Sequence, residues 1–194
     1  MDKDLKIIVV EEDRDRAIDI IDGLRDSGWS DVTVIGETTS LARKLAESEP
    51  DLVLIDLANP SRDMLENLSA ASGARNRPVA MFVDHSDLEM TRAAMRAGLS
   101  AYVVDGLAKD RIKPVLETAI ARFQVVSQMR TELDAAKQAL SDRKTIDRAK
   151  GLLMRAKGVS ENEAYQVLRK TAMDQGRRLI DVAEALVTAS ELLG

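Results

Sequence analysis

Cysteine is absent from the 194 residues, histidine occurs once, and aromatic side chains make up only 3% of the chain. The first absence removes disulfides as a source of stability and thiolates as nucleophiles or metal ligands. With a single His as well, little remains for a transition-metal site, so any metal here has to be a hard cation held by carboxylates. No apolar run is long enough to span a bilayer. The opening stretch MDKDLKIIVVEED also lacks the basic-then-apolar pattern of a secretory signal. We therefore expect a soluble, cytoplasmic protein with no membrane partner. No nucleophile–base pair and no phosphate-cradling glycine loop can be picked out, and no catalytic role is expected.

What is present is a chain that is 45% hydrophobic and 31% charged, with a net charge of -5. That suffices for one good core or two modest ones, and we expect two small domains. The charge is uneven. Residues 144–194 carry nine Lys and Arg against seven acids, a balance of +2, which leaves -7 for the remainder. Within 144–178 the nine basic residues meet only Asp147, Glu161, Glu163 and Asp174, a balance of +5. A basic rear behind an acidic front suggests that only the rear meets a polyanion.

Short apolar runs recur at KIIVV (6–10), DVTVI (31–35), DLVLI (51–55), PVAMFV (78–83) and SAYVV (100–104), each followed by helical spacing. Runs without polar alternation fit strands buried on both faces of a parallel sheet. The first domain is expected to be doubly wound α/β with five parallel strands, flavodoxin-like in topology, with its site beyond the carboxyl ends of the strands. Those ends carry Glu11-Glu12-Asp13, Asp56, Asp84 and Asp105. Asp84 and Asp105 either face that site or cap helices; Met81 and Phe82 belong to the core.

From Lys109 to about Lys157 the chain has one proline, Pro114, and no glycine before Gly151. Val126, Met129, Leu133, Ala136 and Leu140 follow a 3-4-3-4 spacing, the seam of a short coiled coil. So regular a seam needs a partner helix and indicates a dimer stalk; the alternative is one helix packing back on its own domain. Three helical segments follow. The first, 143–157, places Ile146, Ala149, Leu153 and Ala156 on one face and stops at Gly158. Ser160-Glu161-Asn162-Glu163 reads as a capping box opening the second, whose buried face is Ala164, Val167, Leu168, Thr171 and Ala172. Val182, Ala183, Leu186 and Val187 define the third, beyond Gly176.

The first domain resembles the receiver domain of bacterial response regulators over about residues 5–123, with the acidic pair at Glu11-Glu12 and the phosphoacceptor position at Asp56 in DLVLIDLANP. The tail, TIDRAKGLLMRAKGVSENEAYQVLRKTAMDQGRRLIDVAEALV, is similar to the ANTAR output module of transcription antitermination regulators, with A-K-G-x-L-M, E-A-Y-x-x-L-R and A-M in order. The combination most resembles NasT-type nitrate-assimilation regulators. The organisation implied is a receiver-like domain at 1–123, a helical coiled-coil linker at 124–142 and a three-helix ANTAR domain at 143–194. The resemblance further implies binding of two adjacent leader-RNA hairpins by a homodimer, which prevents a terminator from forming, and a separate nitrate-sensing protein that sequesters the regulator.

Receiver chemistry needs Mg2+ held by acids, a hydroxyl that senses the phosphoryl, and a cation. Glu11, Glu12 and Asp56 form the candidate Mg2+ set, in which Glu11 and Glu12 replace the usual aspartates with longer arms that either hold the ion or crowd it. The acidic pocket is expected to contain Glu11, Glu12, Asp56 and Asp105. The family's Thr or Ser position is Val83, and its Lys position is Asp105. At about 4 to 5 Å and an effective dielectric near ~20, each like-charge pair around a phosphorylated Asp56 costs on the order of 3 to 4 kcal/mol. Asp56 is therefore expected not to work as a phosphoacceptor, and the receiver-like domain to be a pseudo-receiver.

The candidate RNA-binding residues are Lys144, Arg148, Lys150, Gly151, Arg155, Lys157, Arg169, Lys170, Arg177 and Arg178. Lys144, Arg148, Gly151 and Arg155 form one stripe on the first helix. Gly151 inside a helix costs about 1 kcal/mol against Ala, which points to close approach by a phosphate backbone or by a neighbouring helix. Tyr165 either stacks an unpaired base or joins the core, the core being favoured. Two other functions stay open: a phosphorylation-dependent regulator acting on DNA, and an adaptor acting through protein contacts.

Overall fold

The computed structural model describes residues 5–37 and 41–193. The chain divides into two compact units, residues 1–128 and 129–194. In the first, β1 (Ile7–Val10), β2 (Val32–Ile35), β3 (Leu52–Leu57), β4 (Val79–Val83) and β5 (Ala101–Val103) alternate with α1 (Arg14–Asp26), α2 (Leu41–Ser48), α3 (Arg62–Ala71) and α4 (Leu88–Ala97). The sheet has the order β2-β1-β3-β4-β5, with every pairing parallel. It is the doubly wound sheet read from the sequence.

Period-two geometry explains why the strands are apolar throughout. Ile8, Val10, Val53, Ile55, Met81 and Val83 point to one face, where Leu41 and Leu45 of α2, Leu65 and Leu68 of α3, and Ala94 of α4 cover them. Ile7, Val9, Leu52, Leu54, Ala80 and Phe82 point to the other, against Ile20 and Leu24 of α1 and the residues Ile112, Leu116 and Ala119. Each fully buried branched side chain contributes about 1.5 to 3 kcal/mol before chain entropy is set against it. The inner strands β1, β3 and β4 have no solvent face and need no polar alternation, whereas the edge strand β2 exposes Thr33.

Residues Ile112, Leu116 and Ala119 belong to α5 (Lys109–Lys157), a single helix of 49 residues. The division between units falls within it, at Gln128/Met129. Met129, Leu133 and Leu140 are exposed, Ala136 is exposed and Val126 is half-buried, so this chain alone leaves most of the seam uncovered.

In the second unit the end of α5 meets α6 (Glu161–Asp174) and α7 (Leu179–Leu193). Ala149, Leu153, Ala164, Leu168, Ala172, Val182, Ala183 and Val187 form its core. The α6 N-terminus carries the capping box: the Glu163 amide donates to Ser160 Oγ, and the Ser160 amide donates to Glu163 Oε2 at 2.9 Å. Two positions expected inside are outside. Ala156 is exposed, and Tyr165 is 37% exposed, next in sequence to the buried Ala164.

Candidate receiver pocket and nucleic-acid interface

The carboxyl ends of β1, β3 and β4 bring Glu11, Asp56 and Asp84 together. Glu11 and Asp56 are buried, at 6% and 2% exposure. The acids converge on a cation supplied by the first turn of α1. Asp13 caps that helix, accepting from the amides of Asp15 at 2.8 Å and Arg16 at 3.0 Å, which fixes where Arg16 leaves the helix. The Arg16 guanidinium then donates to Asp56 Oδ2 from Nε at 3.1 Å and Nη2 at 2.9 Å. It also donates to both Asp84 oxygens at 3.3 Å and lies 3.5 Å from Glu11 Oε2.

Burial works against the Arg16 charge, but hydrogen bonds to Asp84 and Asp56 more than offset it and hold the guanidinium above its ordinary value. The Glu11 carboxyl moves the other way. Burial, and after it the neighbouring Asp56, push Glu11 up to about 7, while the Asp13 amide and Arg16 oppose the rise. The Asp13 amide donates to Glu11 Oε1 at 2.8 Å. Glu11 Oε2 and Asp56 Oδ1 are both buried without a hydrogen-bond partner. A proton held on Glu11 lets its carboxyl donate to Asp56.

The expected pocket is thus corrected in membership. Glu12 is exposed and takes no part in the cluster, because residues 11 and 12 point to opposite sides of the chain where β1 ends. Asp84 takes its place, and α4 is capped by Asp87 instead. Asp105 lines the same cavity, about 260 Å³ in volume, from the loop after β5, where its φ is +73°. Next to it Gly106, φ +67°, lets the backbone pass Asp84 Oδ1, which an added Cβ would meet at 3.1 Å. Val83 ends β4 fully buried and offers no hydroxyl.

The candidate Mg2+ set does not fit a divalent ion. Glu12 is outside, one Glu11 oxygen is committed to an amide, and Asp56 Oδ2 is already held twice by Arg16. Among the described residues, no three acidic or imidazole side chains are arranged to hold a metal. The missing β5 lysine had suggested a pocket without a cation; α1 supplies one instead. The signal was present in the sequence, since Arg16 stands only five and four residues after Glu11 and Glu12.

In the second unit the basic residues divide into two groups. Lys150 Nζ bridges Asp147 at 2.6 Å and Glu161 at 2.7 Å, with its side chain 15% exposed. Arg148 pairs with Glu191 at 2.8 Å, and Arg178 with Asp181 at 2.6 Å. Arg177 reaches the Asp181 carbonyl at 3.3 Å. Lys144, Arg155, Lys157, Arg169 and Lys170 are exposed and make no ion pair among the described residues.

The ANTAR domain family matches residues 134–187, which contain every one of these basic residues. The chain joins a receiver fold to an ANTAR domain. The transcriptional regulatory protein PdtaR of Mycobacterium tuberculosis is 27% identical over 182 residues, covering 94% of this chain and 89% of that protein. The nitrate regulatory protein of Klebsiella oxytoca is 36% identical over 88 residues, 45% of this chain and 22% of that one. The signal receiver domain of a modulated diguanylate cyclase from Desulfovibrio desulfuricans G20 superposes with a TM-score of 0.50 at 21% identity, covering 61% of this chain and 95% of that structure.

Within the ANTAR domain, Gly151 and Tyr165 line one groove with Ile146, Lys150 and Met154, about 680 Å³ in volume. A Cβ at Gly151 would meet only Arg155 Nη1, at 3.8 Å, so packing within this chain does not require the glycine.

Proposed function

We propose that the chain is a transcription antitermination regulator whose ANTAR domain binds paired hairpins in leader RNA. The observation that carries this reading is the set of five exposed cations that have no acidic partner among the described residues, Lys144, Arg155, Lys157, Arg169 and Lys170, on a domain of that family. Unpaired cations bind phosphate without first breaking a bridge, whereas Arg148, Lys150 and Arg178 have to exchange partners. The exposed seam of α5 favours a homodimer, which would present two ANTAR domains to two hairpins. The likeness to a nitrate regulatory protein favours genes of nitrate assimilation, with a nitrate-sensing protein as the sequestering partner in the cytoplasm.

The receiver fold gates RNA binding without phosphorylation of Asp56 in this reading. Val83 supplies no hydroxyl, Asp105 supplies a negative charge where the family has a lysine, and Asp56 Oδ2 is engaged twice by Arg16. Intact mass after incubation with acetyl phosphate and Mg2+ should show no added phosphoryl; a stoichiometric gain that disappears in Asp56→Asn overturns this part. Gel shifts of the full chain with two-hairpin leader RNA, matched duplex DNA and excess tRNA test the rest. Retention of the leader RNA alone is expected. Preference for the duplex would make it a DNA regulator, and binding to neither would make it a protein adaptor.

A further inference from the structure

We propose that Arg16 is the resident cation of the receiver pocket, standing where a divalent metal would otherwise bind, so that this receiver keeps its folded pocket without metal. The inference rests on the reading of the domain as a pseudo-receiver and names the residue that makes it one.

Three features converge on this. First, two buried acids, Glu11 and Asp56, need a compensating charge, and Arg16 contacts both, together with the partly exposed Asp84, from a single guanidinium at 2.9 to 3.5 Å. Second, the planar fork of arginine bonds several carboxylates at once in fixed directions, which a flexible ammonium does less well. It therefore clamps β3 to β4 as a metal ion would, through the ends of strands that pair in parallel. Third, the approach is built in. Asp13 fixes the start of α1, and Gly106 leaves room for the Asp84 carboxylate, so neither the arginine nor its acceptor depends on a bound ion for its position.

A covalently attached cation has a consequence that a dissociable one has not. Its effective concentration at the pocket is set by the fold and cannot be depleted, so the gate does not respond to the level of divalent ions. To occupy the site, Mg2+ would have to remove the guanidinium from Asp56 and lose part of its own tightly held water shell.

The test uses the full chain, with Mg2+ and Mn2+ as probes, followed by calorimetry and thermal melting at constant ionic strength. Wild type should show no saturable heat at millimolar metal and an unchanged Tm. Arg16→Met, which keeps an unbranched apolar stem and removes the charge, should melt lower and regain Tm as Mg2+ is added, with at least a tenfold gain in metal affinity. Arg16→Lys guards against a variant that merely misfolds; it should lie between the two, more stable than Arg16→Met and still weak for metal. Submillimolar one-to-one binding to wild type, or no gain of affinity in Arg16→Met with Arg16→Lys folded, overturns the inference. Hairpin retention by the same wild-type preparation in metal-free buffer separates the two readings. Its loss refutes the RNA-binding reading, whereas metal binding with hairpin retention intact refutes only the role of Arg16.

Discussion

Glu11 lies between the Asp13 amide and the Asp56 carboxylate, almost wholly out of solvent, and burial holds its proton to about pH 7. The unfolded chain releases that proton near 4.5. Between these values the native state binds more protons than the unfolded one, so stability falls as pH rises through the window, by on the order of 1 to 3 kcal/mol. Glu11→Gln keeps an acceptor for the Asp13 amide and a donor toward Asp56 at every pH. Its Tm should be nearly flat from about pH 5 to about pH 8 and exceed that of wild type at the upper end. A wild-type Tm equally flat over that range would show that Glu11 is ionised throughout. In the ANTAR domain the same scale separates cations by their partners. Lys144→Ala with Arg155→Ala removes two unpaired charges, and should reduce the salt dependence of hairpin binding, the slope of log affinity against log salt, by about 2 while leaving Tm unchanged. An unaltered slope would place the RNA elsewhere.

Among the elements, the helices of the small ANTAR bundle depend most on local chemistry, because their core is only a few side chains deep. Ser160 and Glu163 satisfy donors at the α6 N-terminus that packing cannot reach. Ser160→Ala should cost about 1 kcal/mol, read as a lower denaturation midpoint of residues 129–194 in the full chain with no change in the receiver transition. The capping box was legible beforehand because all its atoms lie within four residues. The strands were legible for a similar reason: a five-residue apolar run between turn residues has few other uses, and only its flanking residues fell outside the pairing. Cross-element pairings were not. Arg16 reaches acids 40 and 68 residues away, and Lys150 reaches Glu161 over 11, separations at which helix periodicity names no partner. Tyr165 failed for a related reason. One residue from the buried Ala164 is a turn of about 100 degrees, enough to move a ring from core to groove.

Across the whole molecule, the net charge of -5 makes RNA binding a local affair of residues 144–178, where the balance is +5. One such patch, on a short bundle, offers few phosphate contacts, and pairing two patches is the physical route to high affinity without new contacts. α5 carries the means. Met129, Leu133 and Leu140 are 53 to 61% exposed on one stripe of a helix that continues into the ANTAR domain. Three large apolar side chains in water, spaced four and seven residues apart as in a heptad, favour a second copy as the cover. Leu133→Gln with Leu140→Gln keeps helix propensity and removes two of them. The variant should sediment as a monomer and bind a one-hairpin RNA as wild type does. On a two-hairpin RNA it should lose the ~10²-fold or greater advantage that bivalency provides to wild type. Equal discrimination between the two RNAs by variant and wild type would mean that α5 does not join the two RNA-binding domains.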